Sequence, residues 1–314
     1  MTGRVLRLGT RRSPMAMAQA VAVARLLTER TGTRVELVGL TSYGDVSRAQ
    51  LTQIGGTGVF VSVLRQALLA GEADLAVHSL KDLPTASQPG IVLAAVPARD
   101  DPRDALVARD GAKLADLPAG ARIGTGSPRR AAQLRLLRPD SRPVPVRGNA
   151  GTRLAKVGSG ELDAVVLAYA GLARIGHLDL VTEVFEPDQM VPAAGQGALA
   201  VECASTDPGL AALLGAADDP GSRAAVTAER AVLAGLQAGC HAPVGAYAAV
   251  TSLLRLTAVV VGDDGTAPVA ASAEGPSGAA AGIGDQVARE LLSRGAGRYV
   301  RVSAARTSNG DDVE

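Results

Sequence analysis

Aromatic residues are scarce in this chain. Of its 314 residues, none is Trp, four are Tyr and two are Phe. With so few rings there are almost no platforms on which nucleic-acid bases could stack, and a net charge of +1 gives no long-range attraction to a polyanion. A nucleic-acid partner is therefore not expected, and the hydrophobic core must be built from Leu, Val, Ala and Ile.

Long apolar runs are also lacking. No run approaches the roughly 20 residues that span a bilayer, so no membrane partner is expected. The chain reaches a strand-like segment at Val5, without room for a signal peptide, which predicts a cytoplasmic protein. The two cysteines, Cys203 and Cys240, should then be thiols rather than a disulfide. The three histidines show no Cys/His spacing typical of zinc, so no metal site is expected.

Lysine is the third scarce residue type. Lys and Arg total 32, and the only lysines are Lys81, Lys113 and Lys156, which leaves 29 arginines. Many arginines fall in turns rich in Gly, Ser and Thr, at residues 9–14 (GTRRSP), 124–130 (GTGSPRR) and 147–153 (RGNAGTR). A guanidinium matches carboxylate or phosphate oxygens with two parallel hydrogen bonds, so this placement predicts binding of a small polyanion. Genomic composition accounts for part of the arginine excess but not for its positions.

Strand-like and helix-like segments alternate along the first two thirds of the chain. This alternation predicts an α/β protein with mainly parallel sheets. The expected parts are a first lobe over residues 1–99, a second lobe over 100–193, a small C-terminal α+β domain with the Cys240 loop over 218–306, and a disordered tail over 307–314.

A short internal repeat relates the two lobes. Residues 9–19 and 124–133 each contain Gly-Thr, then Ser-Pro, then Ala-Gln, with the same spacing from Pro to Gln. Each copy is expected to place a Gly-Thr turn after a strand, with a helix N-terminus behind it. Unpaired N–H groups and the helix dipole favour an anion at such a point. Coincidence is the competing explanation, because short Gly/Ser/Pro matches are common.

Asp82 is the main candidate for acid–base chemistry. It lies in residues 78–84 (HSLKDLP), directly after a buried strand, where open α/β sheets keep their ligands. Lys81 and nearby arginines would hold it ionised in a partly dry cleft. The alternative is that Asp82 only caps a turn. His78 is expected to be a buried, hydrogen-bonded core residue.

Cys240 is the candidate nucleophile. It lies in residues 238–245 (AGCHAPVG), where small neighbours leave the sulfur accessible, whereas an inert half-buried thiol is the alternative. Cys203 lies in a strand-like run and is expected to belong to the core. The glycine-rich loop 55–58 (GGTG) lacks the Lys-Ser/Thr ending of a P-loop, so it is not predicted to bind a nucleotide.

Taken in order, these segments resemble the hydroxymethylbilane synthase family, also called porphobilinogen deaminase. The matching segments, from about Leu6 to Gly245, are residues 9–14, 78–84, 101–104 (DPRD), 147–149 with 152–154, 195–197 (GQG), and 239–240 with Pro243 and Gly245. The resemblance implies two periplasmic-binding-protein-like lobes with mainly parallel sheets plus a small C-terminal α+β domain. It also implies that residues 194–217 rejoin the first lobe, and that the protein is a monomer.

The resemblance further implies a transferase of haem biosynthesis. It would deaminate four porphobilinogen molecules and join them head to tail into the linear tetrapyrrole hydroxymethylbilane, using a dipyrromethane cofactor held by a thioether to Cys240. Asp82 would stabilise the cationic azafulvene left when ammonia departs, and Lys81 would orient either Asp82 or a substrate carboxylate. Cofactor-binding positions would be Cys240, Arg129, Arg130, Ser127, Thr125, Ser13 and Lys81. Substrate-binding positions would be Arg11, Arg147, Arg153, Arg174 and Gln196.

Some positions depart from the family pattern. Thr57 and Ser62 stand where lysines are common, and Gly126 and Pro128 replace a serine and a leucine. These changes put loop contacts and substrate affinity in question more than the type of reaction. The main alternative function is a non-enzymatic, two-lobed binding protein for a small polycarboxylate. Cys240 distinguishes the two, because a passive clamp needs no covalent anchor.

Overall fold

A computed structural model describes residues 4–40, 56–239, 242–262 and 267–300, with the backbone alone for 56–60. Cys240, the loop position Gly55, the side chain of Thr57 and the tail 307–314 lie outside the described residues. The strands are β1 Leu6–Thr10, β2 Val35–Gly39, β3 Leu75–Ser79, β4 Ile91–Ala95, β5 Asp104–Ala108, β6 Arg122–Gly124, β7 Arg142–Val144, β8 Ala164–Ala168, β9 Glu183–Phe185, β10 Leu199–Ala204, β11 Val244–Val250, β12 Leu254–Val260 and β13 Val269–Gly275. The helices are α1 Pro14–Thr31, α2 Gly56–Leu69, α3 Pro128–Leu137, α4 Ala150–Gly158, α5 Tyr169–Arg174, α6 Pro208–Leu214, α7 Pro220–Gly235 and α8 Ala280–Ser293.

The chain divides into two compact units. The first unit contains Met1–Asp100 and Ala198–Arg223, and the second contains Asp101–Gly197 and Ala224–Glu314. We call the α/β part of the first unit the first lobe, and the α/β part of the second unit the second lobe. The predicted boundaries between three domains stay a prediction.

The first lobe is built on a five-stranded sheet in the order β2-β1-β3-β10-β4. β1 pairs in parallel with β2 and β3, whereas β10 pairs antiparallel with both β3 and β4. β10 comes from a segment far along the chain and fills the place between two strands that precede it. Leu8, Leu75, Val201 and other apolar side chains of these strands form a buried core.

Helix α1 shows why these residues fold as they do. Ser13 caps the helix by accepting the N–H of Ala16 at 3.3 Å, and Pro14 takes the first helical position. Gly32 ends the helix in the left-handed region, with φ of 68°, and donates its N–H to Thr28. Both signals come from residues next to the helix in the sequence and are common at helix ends.

The second lobe repeats the topology of the first. Its sheet has the order β7-β6-β8-β5-β9, with β6 parallel to β7 and β8, and with β5 antiparallel to β8 and β9. β5 therefore holds the position that β10 holds in the first lobe. We call β10 and β5 the return strands.

The C-terminal part is a three-stranded antiparallel sheet, β11-β12-β13, with helices packed on it. Small residues bring α7 and α8 together: a Cβ at Gly284 would lie 2.3 Å from the carbonyl oxygen of Ala228. The predicted class of two α/β lobes with mainly parallel sheets and a small α+β domain is confirmed. Within the described ranges, no helix is both long and apolar enough to cross a membrane.

Candidate active site

Asp82 lies in a turn that the first lobe holds from several directions. β3 ends at Ser79, and a single 3₁₀ turn, Leu80–Asp82, follows it. Gln19 of α1 donates to the Ser79 hydroxyl at 2.7 Å, and the N–H of Leu80 donates to Ala198 at 3.0 Å. The carboxyl end of β3 is thereby fixed, and Asp82 is presented from a rigid support.

The surroundings of Asp82 suit a group that exchanges a proton. Its side chain is half-buried, and burial raises its pKa above the ordinary value, while the charges of Lys81, His78 and Arg11 oppose that rise. Desolvation and cations therefore act on the same carboxyl group in opposite directions. The structure places the predicted catalytic pair, Asp82 and Lys81, side by side, and Arg11 and Ser13 lie in the same lobe.

Behind this turn lies a buried charged cluster. Glu202 of β10 receives two hydrogen bonds from Arg65 of α2, at 3.0 and 2.7 Å. Nε2 of His78 lies 3.2 Å from the same carboxylate, with poor alignment for a hydrogen bond. Burial alone would raise the pKa of Glu202, but His78 and Arg65 outweigh it and lower that pKa to about 2. His78 is buried, as expected.

Arg129 and Arg130 meet on a buried carboxylate in the second lobe. Asp104, the first residue of β5, accepts from Nε and Nη2 of Arg130 at 2.9 and 2.7 Å, and its other oxygen lies 2.8 Å from Nη2 of Arg129. Burial would raise the pKa of Asp104, but the two guanidiniums hold it well below its usual range. Two cations share one anion, so this cluster keeps one net positive charge.

Gln196 belongs to the same network. Its side-chain N–H groups donate to Pro102 at 2.7 Å and to Asp104 at 2.8 Å, and its carbonyl oxygen accepts from Arg130 at 3.2 Å. The residue is fully buried. These contacts give Gln196 a role in holding Asp104 and Arg130, whereas its contact with substrate stays a prediction.

Arg153 lies on α4, and Arg147 lies a few residues before that helix. Arg153 is half-buried and donates to the carbonyl of Gly148 at 2.9 Å, and both burial and the charge of Arg130 lower its pKa. Nη2 of Arg153 would lie 3.8 Å from a Cβ at Gly126. Arg147 is exposed. The N-terminal turn of α3 therefore has Arg153 beside it.

The first turn of α3 adds hydroxyl and amide groups. Ser127 caps the helix by accepting the N–H of Arg130 at 3.4 Å, and Thr125 accepts the N–H of Ser127 at 3.2 Å. Pro128 takes the first helical position. Gly126, a departure from the family pattern, passes the carbonyl oxygen of Val146 so closely that a Cβ would lie 2.9 Å from it. A serine does not fit at 126 on this backbone.

The structure thus brings the predicted residues together in two groups. The first lobe holds Asp82, Lys81, Arg11 and Ser13, and the second unit holds Arg129, Arg130, Thr125, Ser127, Arg153, Gln196 and Arg174, the last donating to Gly197 at 2.6 Å. The sequence interpretation gave no role to Asp104, Glu202 or Gln133. The DPRD segment was the one signal that pointed to Asp104. In the described part of the chain, no cluster of His, Cys, Asp or Glu could hold a metal ion.

Comparison with known proteins identifies the family of this chain. Residues 6–212 match the family described as porphobilinogen deaminase, dipyromethane cofactor binding domain, and residues 223–293 match porphobilinogen deaminase, C-terminal domain. The chain belongs to the porphobilinogen deaminase family. A porphobilinogen deaminase from Thermobifida fusca is 62% identical over 95% of this chain and 97% of its own length, and porphobilinogen deaminase 1 from Streptomyces coelicolor is 56% identical over 94% and 97%.

Solved structures of periplasmic proteins also align with the chain. A periplasmic substrate-binding protein of an ABC transporter from Coxiella burnetii is 17% identical, with a TM-score of 0.43, over 69% of this chain and 94% of its own.

The second lobe suits the cofactor of the porphobilinogen deaminase family. A dipyrromethane made from two porphobilinogens carries acetate and propionate groups. Nε of Arg129 is a buried donor without a hydrogen-bond partner among the described residues, although Arg129 is only 3% exposed. A buried N–H left without an acceptor costs stability, and a carboxylate would satisfy it. The orphaned donor and the net positive charge therefore fit a carboxylate-bearing group.

Proposed function

We propose that this chain deaminates four porphobilinogen molecules and condenses them head to tail into hydroxymethylbilane. In each condensation the C–N bond of an aminomethyl group breaks and ammonia leaves. A C–C bond forms to the free α-carbon of a terminal pyrrole, and that carbon loses its proton. The observation that carries the proposal is Asp82, a half-buried carboxyl group beside Lys81, in a chain of this family.

Asp82 acts on the reacting pyrroles. Its carboxylate stabilises the positive charge that develops on the substrate pyrrole as ammonia departs, because an anion in a partly desolvated position interacts strongly with a nearby cation. A carboxyl group whose pKa is raised above its ordinary value also accepts a proton more readily, so the same group takes the proton from the α-carbon. Lys81 keeps the carboxyl group ionised and orients it.

The second unit holds the cofactor in this proposal. When bound, the dipyrromethane supplies the anchored primer from which the chain grows. Arg129 and Arg130 bind its carboxylates, with Thr125 and Ser127 as further donors, and Cys240 carries the thioether. The net charge left by the pairing with Asp104 supports the role of the two arginines. In the first lobe, Ser13 and Lys81 are proposed to contact the cofactor as well.

Substrate carboxylates are assigned to the remaining arginines. Arg11, Arg147, Arg153 and Arg174 are proposed to bind the acetate and propionate groups of porphobilinogen and of the growing chain. The support is clearest for Arg153, because burial and the charge of Arg130 lower its pKa, and an anion would stabilise its charged form. We assign Gln196 to the support of Asp104 in addition to substrate binding.

The test is the intact and peptide-level mass of the purified protein, with Cys240→Ser beside it. We expect an added mass of two linked pyrroles on the Cys240 peptide of the parent protein, and no such mass on the variant. Both proteins are then incubated with porphobilinogen, and its consumption is followed. A thiol that stays bare after that incubation would support the alternative, a non-enzymatic polycarboxylate-binding protein, which the family match does not favour.

We further propose that the enzyme works as a monomer in the cytoplasm, without nucleic-acid or membrane partners. The net charge of +1 and the scarcity of aromatic residues support the absence of a nucleic-acid partner. Sedimentation of the holoenzyme tests the monomer, and a dimer at micromolar concentration would contradict it.

A further inference from the structure

Two side chains of α3 hold the backbone of Val191, whose N–H and carbonyl groups belong to two adjacent peptide groups. The carbonyl oxygen of Val191 accepts from Nη1 of Arg129 at 2.7 Å and from Nε2 of Gln133 at 3.0 Å. The N–H of Val191 donates to Oε1 of Gln133 at 2.8 Å. Gln133 is 4% exposed and Arg129 is 3% exposed, so all three bonds are shielded from water. Gln133 bonds both of these groups, and it therefore fixes the peptide that carries the Val191 carbonyl, to which Arg129 is tied and which we call the Val191 peptide.

The other side of this peptide contacts the start of β11. A Cβ at Gly245 would lie 2.7 Å from the carbonyl oxygen of Val191 and 2.9 Å from its Cβ, so only glycine fits there. The N–H of Ala246 donates to Pro192 at 2.9 Å. β11 follows closely after Cys240 in the sequence. The Val191 peptide is thus in contact both with an anion-binding arginine and with the strand that follows the proposed anchor.

We infer that Gln133 is a positioning residue for cofactor binding: by fixing the Val191 peptide, it holds the guanidinium of Arg129 so that its Nε–H can receive a cofactor carboxylate. The inference rests on the role proposed for Arg129. Nη1 is tied to Val191 and Nη2 to Asp104, whereas Nε has no hydrogen-bond partner among the described residues. Without Gln133 the Val191 N–H loses its acceptor and the Val191 carbonyl loses one of its two donors, so the Val191 peptide is free to turn and draw Nη1 with it.

The test replaces Gln133 with leucine, which keeps the volume and removes both hydrogen bonds. Apoprotein is produced in cells that cannot make porphobilinogen, and its gain of two pyrrole units on adding porphobilinogen is followed by intact mass. We expect Gln133→Leu to load roughly tenfold more slowly than the parent. Gln133→Glu keeps the acceptor but not the donor, so its loading rate should fall between those of the parent and of Gln133→Leu. If Gln133→Leu does not fold, Gln133→Glu replaces it as the test variant.

Two controls separate positioning from stability. Val287→Ala shortens a side chain in the buried core of the C-terminal domain. Its loading rate is compared with that of Gln133→Leu at an equal loss of Tm. Gln189→Leu removes a glutamine that accepts from the nearby Glu186 N–H and touches neither arginine. Equal loading rates in Gln133→Leu and Val287→Ala would overturn the inference.

Arg129→Leu distinguishes this inference from the function on which it rests. If Arg129→Leu loads slowly while Gln133→Leu loads at the parent rate, the proposed role of Arg129 stands and the inference about Gln133 is wrong. If Arg129→Leu loads at the parent rate, the role of Arg129 itself is wrong. Slow loading in both supports both.

Discussion

The two return strands carry a buried carboxylate each, and the two carboxylates have different partners. Glu202 on β10 takes both its hydrogen bonds from one guanidinium, that of Arg65, with His78 beside it. Asp104 on β5 is shared by Arg129 and Arg130. The sheets have the same strand order, so the difference lies in the ratio of arginines to carboxylates, which is one to one at Glu202, beside His78, and two to one at Asp104.

This ratio indicates the chemistry of each lobe. In the first lobe Arg65 is committed to Glu202, and a separate carboxyl group, Asp82, stands at the end of β3. In the second lobe one guanidinium is in excess, which favours an anionic ligand. We therefore expect the one topology to carry an acid–base group in one copy and an anion-binding group in the other.

Of the substitutions that distinguish the two lobes, Asp82→Asn should have the largest effect. We expect turnover of porphobilinogen to fall about 10²- to 10⁴-fold, the range of a lost acid–base group. Because burial raises the pKa of Asp82, its ionised form costs folding free energy at neutral pH, so the variant should melt at the same temperature or higher. Steady-state kinetics and calorimetry check both parts. Retained activity would remove Asp82 from the mechanism.

The same type of substitution in the second lobe, Asp104→Asn, should mainly lower the stability of the protein. It leaves Arg129 and Arg130 buried without their anion, which costs about 3–5 kcal/mol of the free energy of unfolding. Urea denaturation measures the loss. If Asp104→Asn proved as stable as the parent protein, the pairing of these charges would have no role in the fold.

Acid should weaken the first lobe through Glu202. Its folded pKa of about 2 lies below the ordinary 4.5, so its contribution is present above about pH 4.5 and is lost as the pH falls towards 2. The loss amounts to about 3 kcal/mol. Tm measured against pH should fall less steeply over this window in Glu202→Gln, although that variant starts lower at neutral pH. Parallel curves would contradict the assignment.

The smallest effects should come from the two equivalent helix caps. Ser13→Ala and Ser127→Ala each remove the acceptor of one N–H in the first turn, at Ala16 and Arg130. Each should lower the free energy of unfolding by about 1 kcal/mol. Denaturant titration of both variants checks that the two copies of the turn are equivalent. If only one of the two substitutions lowered the free energy of unfolding, the two copies of the repeat would be similar in sequence but not in their contribution to stability.

Local signals in the sequence were sufficient for much of the fold. The start of α1 at Ser13-Pro14 and its end at Gly32 depend on neighbouring residues, so the local sequence is sufficient for α1, Pro14–Thr31. β11 has no such local signal, because its sequence is mostly Gly and Ala, and its pairing with β12 is what makes it a strand. The short helix α5 also lacks a local signal, since six residues carry little periodicity.

The same distinction between local signals and long-range contacts applies to the candidate site. Asp82 was found because its position at the end of a strand is a local property. The pairing of Asp104 with Arg129 and Arg130 joins residues more than twenty positions apart, and the Val191 contacts of Gln133 span 58. No pattern within a short window encodes such contacts, because they exist only once the sheet has formed. The sequence could name the arginines but not the carboxylate that holds them.

The place of β10 has a consequence for synthesis on the ribosome. β3 and β4 are complete long before Leu199 is translated, and at about 5–20 residues per second the delay is on the order of 5 to 20 seconds. During that time the strand that belongs between them does not exist, and both expose an unpaired edge. The second lobe, whose strands β5 to β9 are contiguous, can fold in that interval. A nascent chain that stops before Leu199 therefore carries a sheet with a gap in its middle, which is a form that chaperones and proteases recognise.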